Sequence, residues 1–256
     1  MKRPREHELW RLWTTRLPPL PRALGLANHI ARPLYCRRPR SAVTVDTLGQ
    51  QMTLDPHQHV DALLLFAPQL VDRRELRFLR EHLKRGSHFL DAGAYTGFYS
   101  LQLAPLIGPV GRVIAVEPDP ATAERLRAHL DANGLSWVQT SEVALSSAIG
   151  EASLRLDQPN NRGSRRLVAG HGTPTETLGA LMDRLGIQRF DAAKFDLEGC
   201  DQPVLEQAFA TLPRSRWPRA LVAEAPHPDH ILADTLRRVG YTVGRSSRLN
   251  LTARLD

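Results

Sequence analysis

Three observations in the sequence predict a doubly wound α/β fold. An apolar stretch at 88–92 runs through a glycine-bearing turn, Gly93 to Gly97, straight into a helix beginning at Phe98. A second strand at 111–116 ends on an acid, Glu117, 26 residues beyond Asp91. From there, strand-length apolar runs alternate with segments of helical period almost to the C-terminus, the pattern of strands laid parallel with helices between them.

The elements follow in order. Residues 1–40 carry ten Lys or Arg against two Glu, a net +8, so that with +7 for the whole chain the remainder nets −1. The basicity therefore belongs to an arm, and the rest of the chain gives no charge-based sign of a nucleic-acid binder. Pro4, Pro18, Pro19, Pro21, Pro33 and Pro39 forbid one long helix there but permit a short amphipathic piece around Leu9 to Leu17, with Trp10 and Trp13. This piece either packs on its own domain or meets an anionic membrane surface. Strands at 41–45 and 51–54 around a Gly-containing turn make a hairpin. A helix at 76–83 stops before Gly86. The core is expected to follow, giving an arm (1–40), a hairpin-and-helix segment (41–86) and a catalytic domain (87–256). Within it the pattern gives strand 88–92, helix 97–106, strand 111–116, helix 119–133, strand 137–142 and strand 151–156. The Asn-, Gly- and Arg-rich stretch 157–174 reads as a mobile loop near a substrate. Helix 178–185, strand 190–195, helix 201–211, strand 220–223, a helix from His227 to Arg238, and strands near 240–244 and 248–253 complete the chain.

At 256 residues the chain suits one well-buried α/β domain with an appendage. No apolar run reaches 18 residues, the stretch 62–67 being too short to span a bilayer, and no signal-peptide pattern opens the chain. Cys36 and Cys200 are far apart and belong to no metal-ligand cluster, so they read as reduced thiols in a cytoplasmic protein, with peripheral membrane contact open through the arm.

The turn after the first core strand carries the chemistry. Asp91 stands at the strand's carboxyl end, and Gly93 and Gly97 let backbone approach a ligand closely. Glu117, at the end of the adjacent strand, is placed to accept hydrogen bonds from ribose hydroxyls, or is a surface acid at a strand end; Pro118 and a helix-capping Asp119 favour the first. The loop lacks the Gly-x-Gly-x-x-Gly of a dinucleotide site, and Asp91 would repel a pyrophosphate while suiting a ligand with a cationic amino group. S-adenosylmethionine (SAM) carries an ammonium and a sulfonium.

Asp91-Ala-Gly-Ala-Tyr-Thr-Gly-Phe-Tyr-Ser100, Val116-Glu-Pro-Asp119 and Lys194-Phe-Asp-Leu-Glu-Gly199 together resemble the FkbM-type SAM-dependent methyltransferases, over roughly residues 75–253. Tyr95 stands where the family loop usually has Asn, and Gly199-Cys-Asp-Gln202 where it favours an acid pair. The resemblance implies the seven-stranded class I methyltransferase sheet with one antiparallel strand, and a hydroxyl of a sugar, glycolipid or secondary metabolite as methyl acceptor. It implies SAM bound by Asp91, Gly93, Ala94, Tyr95, Gly97, Tyr99, Ser100, Glu117 and Pro118, with S-adenosylhomocysteine (SAH) as product. It also places Glu142, Val143 and Ala144 at the adenine, Glu142 accepting from the exocyclic amine or facing solvent.

Strand alternation puts Lys194, Asp196 and Glu198 on one face, looking toward the transferable methyl group. Asp196 then orients or deprotonates the acceptor hydroxyl while Lys194 tunes its charge, help typically worth about 10²- to 10⁴-fold. The alternative is a structural ion pair and cap, with catalysis left to alignment. Glu224, beside His227 and His230, could join Asp196 around Mg²⁺, but spacing offers no third oxygen ligand, so no metal is expected. Nucleic acid is not the expected partner. An RNA methyltransferase using the arm and a SAM-binding module without turnover are the competing readings.

Overall fold

A computed structural model describes residues 32–37, 41–156, 165–225 and 231–256. Most of the arm, including the amphipathic piece with Trp10 and Trp13, lies outside the described residues, as do His227 and His230. The described chain divides into two units, a smaller one of the residues up to Arg73 with Leu156, and a larger one of Arg74–Arg155 and Arg165–Asp256.

The smaller unit holds the expected hairpin. β1 (Val43–Thr47) and β2 (Gln50–Leu54) pair antiparallel from Val43↔Leu54 to Thr47↔Gln50. A helix the sequence reading left unassigned follows, α1 (His59–Phe66). Leu64, Leu65 and Phe66 are fully buried with Met52 and Leu54, and the buried Asp61 accepts from the backbone N–H of Asp55 at 2.9 Å.

The larger unit opens with α2 (Arg73–His82) and is built on a seven-stranded sheet. Its strands are β3 (His88–Ala92), β4 (Arg112–Val116), β5 (Gln139–Ser141), β9 (Ala192–Phe195), β10 (Ala220–Glu224), β11 (Tyr241–Arg245) and β12 (Asn250–Leu255). They lie in the order β11-β12-β10-β9-β3-β4-β5. β12 runs antiparallel to both its neighbours, and β5, β4, β3, β9 and β10 pair parallel. This is the mixed sheet with one antiparallel strand that the sequence implied. The helices are α3 (Phe98–Ile107), α4 (Pro120–Ala132), α5 (Leu178–Leu185), α6 (Asp201–Thr211) and α7 (Ile231–Arg238).

Alternation along the strands divides the residues between the two faces. Leu90, Ala92, Ile114, Val116, Ala193, Phe195, Leu221 and Ala223 join one core with Leu181 and Met182 of α5, Val204 and Leu205 of α6 and Leu236 of α7. Asp91 and Lys194 are therefore on the opposite face of the sheet, side by side in the parallel register Asp91↔Lys194. Helix signals behave as their chemistry requires: Asp119 accepts from Thr122 N–H at 2.9 Å to cap α4, and the Thr177 side chain caps α5.

The region read as a loop differs. Residues 165–176 form a twelve-residue strand, β8 (Arg165–Glu176), central in a separate sheet between β6 (Ala144–Leu145) and β7 (Gly150–Leu156). The composition hid an alternation in which Thr173 and Thr175 turn inward. Residues 157–164 lie outside the described set.

Candidate active site

The site stands at the carboxyl ends of β3, β4, β9 and β10, where strand ends of a parallel sheet leave room for a ligand. Asp91 is fully buried. One carboxylate oxygen, Oδ2, accepts from Ser100 N–H at 3.0 Å and Ser100 Oγ–H at 2.7 Å, so the first turn of α3 fixes the acid's orientation. The other, Oδ1, has no hydrogen-bond partner among the described residues and faces Lys194 Nζ at 3.9 Å. Burial raises the Asp91 pKa, against the pull of Lys194 and of the two Ser100 donors.

Lys194 is almost fully buried beneath the turn and serves three groups. Nζ donates to Gly93 O at 2.7 Å, pairs with Asp196 Oδ2 at 3.3 Å, and lies 5.4 Å from the Tyr99 ring centroid. The turn it supports is pinned from β4 as well, since Gly93 and Ala94 N–H both donate to Val116 O. Gly93 passes so close to β9 that a side chain there would meet the backbone oxygen of Asp196.

Glu117 is held at both oxygens by backbone: Oε2 accepts from Tyr95 N–H and Oε1 from Asp119 N–H, each at 2.9 Å. Burial pushes it up to about 7, opposed by those two donors. Each oxygen keeps a second lone pair. Pro118 and Asp119 continue into α4, and Arg165 of β8 is ion-paired with Asp119, a link across 46 residues that no local motif announces.

Tyr95 has φ +49, the left-handed region that bulky side chains rarely enter, and its ring lies 5.9 Å from the Arg125 guanidinium carbon. Its contact with Glu117 is made by backbone and is independent of the side chain. Tyr95→Asn is therefore expected to keep SAM affinity within about threefold, ~0.6 kcal/mol, when measured by calorimetric titration. A loss of tenfold or more would show that the ring itself touches the donor.

Of the remaining sequence-derived residues, Gly97 begins α3 from a left-handed conformation, Tyr99 is buried, and Ala94 is buried in the turn. Glu142 is half-exposed and ion-paired with Arg127. Val143 packs against the core, and Ala144 is buried where β6 begins. β9 ends at Phe195, so Asp196 and Glu198 both lie beyond the strand, Glu198 in the following turn at φ +52. Asp196, whose side chain is 47% exposed, is the open carboxylate at the strand end.

Two acids complete the edge. Asp201, at the start of α6, accepts from Leu197 N–H at 3.1 Å and is raised to about 6 by burial and by Asp196. The sequence reading passed over it, although an acid opening a helix directly after a glycine turn is a cap signal. Glu224 closes β10 next to Asp196. Among the described residues no group of three or more His, Cys, Asp or Glu has the arrangement to hold a metal ion.

The arrangement suits a donor with an amine and a ribose. The orphaned Asp91 Oδ1 fits an ammonium, and the spare Glu117 lone pairs fit hydroxyls. Fold and site together define a methyltransferase of class I architecture. A family model described as the methyltransferase FkbM domain matches residues 91–243, more than half of the chain, and the chain belongs to that family. Its cofactor is SAM.

Among curated proteins, the chain is 31% identical over 94 residues to a probable cobalt-precorrin-6B C(15)-methyltransferase (decarboxylating) of Sulfolobus acidocaldarius. That alignment covers 37% of this chain and 49% of the relative, so it spans about half of the other protein's length. A protein-L-isoaspartate O-methyltransferase of Ignicoccus hospitalis is 40% identical over 56 residues, covering 22% of this chain and 26% of its own. Among solved structures, a methyltransferase from Geobacter sulfurreducens aligns over 100% of both chains at 16% identity and a TM-score of 0.47.

Proposed function

We propose that this methyltransferase acts on a hydroxyl oxygen of a sugar, glycolipid or secondary metabolite. The observation that carries the reading is Asp196, a half-exposed carboxylate at the end of β9, one rung beyond the buried pair of Asp91 and Lys194. A carboxylate there accepts a hydrogen bond from an acceptor hydroxyl and aligns it, while Lys194 fixes the carboxylate's position. Bound SAM supplies an electrophilic methyl group on a sulfonium. Asp91 and the Gly93 turn would hold its amino-acid end and Glu117 its ribose, with Ala94, Tyr95, Gly97, Tyr99, Ser100 and Pro118 completing the cradle. Val143 and Ala144 would wall the adenine. The ion pair of Glu142 with Arg127 favours the solvent-facing role for that acid.

A polyanionic acceptor is disfavoured by the same edge, where the carboxylates of Asp196 and Glu198 stand near Lys194 and repel phosphate. In this reading residues 1–40 are a basic arm that packs on its own domain or meets a peripheral anionic surface, 41–86 a preceding segment and 87–256 the catalytic domain. Among the described residues no helix is long and apolar enough to cross a membrane.

The test is calorimetric titration of the purified protein with SAM, SAH and NAD, beside an Asp91→Asn, Glu117→Gln double variant. Micromolar binding of the first two, absent for NAD and lost in the folded variant, is the expected result. Unchanged binding in the variant would remove Asp91 and Glu117 from the site. Screening SAH release against methyl glycosides and polyketide alcohols then examines the acceptor class, and transfer to RNA alone would overturn it.

A further inference from the structure

Glu224 is the last residue of β10, in register with Asn250 of β12, and the pair Ala223↔Phe195 just before it sets Glu224 alongside Asp196. In the parallel register Val222 pairs with Lys194 and Ala223 with Phe195, the last rung; Glu224 and Asp196 are the residues that follow on the two chains, and Asp196 is the largest charge acting on Glu224. Among the described residues the Glu224 carboxylate has neither a hydrogen-bond nor an ion-pair partner, unlike every other acid at this edge that has been given one above. Its charged surroundings are one-sided. Among the described residues, Asp196, Glu198 and Asp201 act on it from the end of β9, the following turn and α6, with Lys194 opposing them. On the other side Asn250 turns its amide to Glu75 of α2, and Arg245 of β11 spends a guanidinium nitrogen on Ala225 O at 3.0 Å.

We propose that Glu224 takes the acceptor's proton, and that the positive charge of the donor, not a cation of the protein, holds it in its ionised form. The inference rests on the SAM-dependent methyltransferase reading above. In the transfer, a lone pair of the acceptor oxygen forms the bond to the methyl carbon as the carbon–sulfur bond breaks, its electron pair staying on sulfur. The hydroxyl proton passes to the Glu224 carboxylate and from there to solvent.

Asp196 is the less suited of the two neighbours, since its carboxylate is already engaged by the Lys194 ammonium at 3.3 Å. Burial first, then Asp196, Asp201 and Glu198, push Glu224 up to about 8, with Lys194 opposing. Near neutral pH it is thus mostly protonated before the donor arrives. A sulfonium close by favours the carboxylate, so donor binding expels a proton, and by reciprocity the ionised acid favours the charged donor over the uncharged product by the same factor. The sign is fixed: SAM affinity rises as pH increases toward 8, and SAH affinity lacks that rise. Once the methyl group has left, the proton taken from the acceptor is no longer opposed by a sulfonium.

The experiment needs no acceptor. Titration calorimetry at about pH 7.5 in phosphate, HEPES and Tris, whose ionisation enthalpies differ, counts protons released on binding. SAM should release about half a proton more than SAH. Asp91 and Glu117 meet parts common to both molecules and cancel in that difference. Glu224→Gln should abolish the difference while keeping SAH affinity, which also shows that the variant folds; Asp196→Asn, which removes the largest charge raising Glu224, should reduce the difference without abolishing it. Equal proton release by the two molecules in the wild-type protein, a measurement that needs no variant, would overturn the proposal, as would a difference that survives in Glu224→Gln. Failure of both SAM and SAH to bind the folded wild-type protein would instead sink the cofactor assignment, and this inference with it.

Discussion

Gly93→Ala should lower the unfolding free energy by at least ~3 kcal/mol and weaken SAM binding about a hundredfold, whereas Gly134→Ala should cost only ~1–2 kcal/mol and leave binding unchanged. Both glycines have left-handed backbone, φ +73 and +67, so both substitutions carry the same conformational penalty. Their surroundings separate them. A Cβ at Gly134 would have no heavy atom within 4 Å, while one at Gly93 would lie 2.0 Å from the backbone oxygen of Asp196. That oxygen belongs to the chain just beyond β9 and cannot swing aside as a side chain could. Relief requires β3 and β9 to part at their carboxyl ends, which also shifts the Gly93 carbonyl off Lys194 and the Gly93 and Ala94 N–H groups off Val116 O. Urea unfolding and calorimetric titration of the two variants check this. Equal costs at the two positions would mean that the turn tolerates a wider approach and that Gly93 is there for its φ alone.

The parts of the site that the sequence exposes are those whose cause is local. An acid at a strand end, two glycines and a helix start lie within ten residues, so Asp91, the turn and the Ser100 tether belong to one readable segment. Glu117 is readable for the same reason, one strand later. The position of Lys194 is not. Its partners, Asp91 and the Gly93 carbonyl, are about a hundred residues away and meet it only through the parallel register of β3 and β9, which no single segment encodes. Sequence alternation suggested that it modulates Asp196; the pairing shows that it also supports the turn. Strand alternation does not by itself place Glu198, because β9 ends at Phe195 and the chain leaves the sheet there to reach α6. β8 is hard to read because Gly170, Gly172 and Pro174 interrupt its pattern, and α1 because its apolar run, 62–66, is too short for its period to separate helix from strand.

Lys194→Met should cost about 3–5 kcal/mol, the range for removing one partner of a buried ion pair. Methionine keeps much of the stem's volume but neither the charge nor the donors. Asp91 would remain fully buried with its Oδ1 facing no cation, and Gly93 O would lose its partner. The pH dependence separates charge from packing. Lys194 lowers the Asp91 pKa, which burial already holds above its ordinary 3.8, so its removal raises that value further. A raised folded-state pKa gives stability that is present below the unfolded value and is lost as pH climbs through the folded one. The deficit of Lys194→Met relative to wild type is therefore expected to be smaller at pH 5 than at pH 8 in parallel urea titrations. Adding Asp91→Asn should then recover part of the loss and flatten its pH dependence, since the unpaired charge is gone. A deficit equal at both pH values and untouched by Asp91→Asn would show that Lys194 supports the turn through its aliphatic stem and its bond to Gly93 O, and that the carboxylate beside it is stabilised from elsewhere.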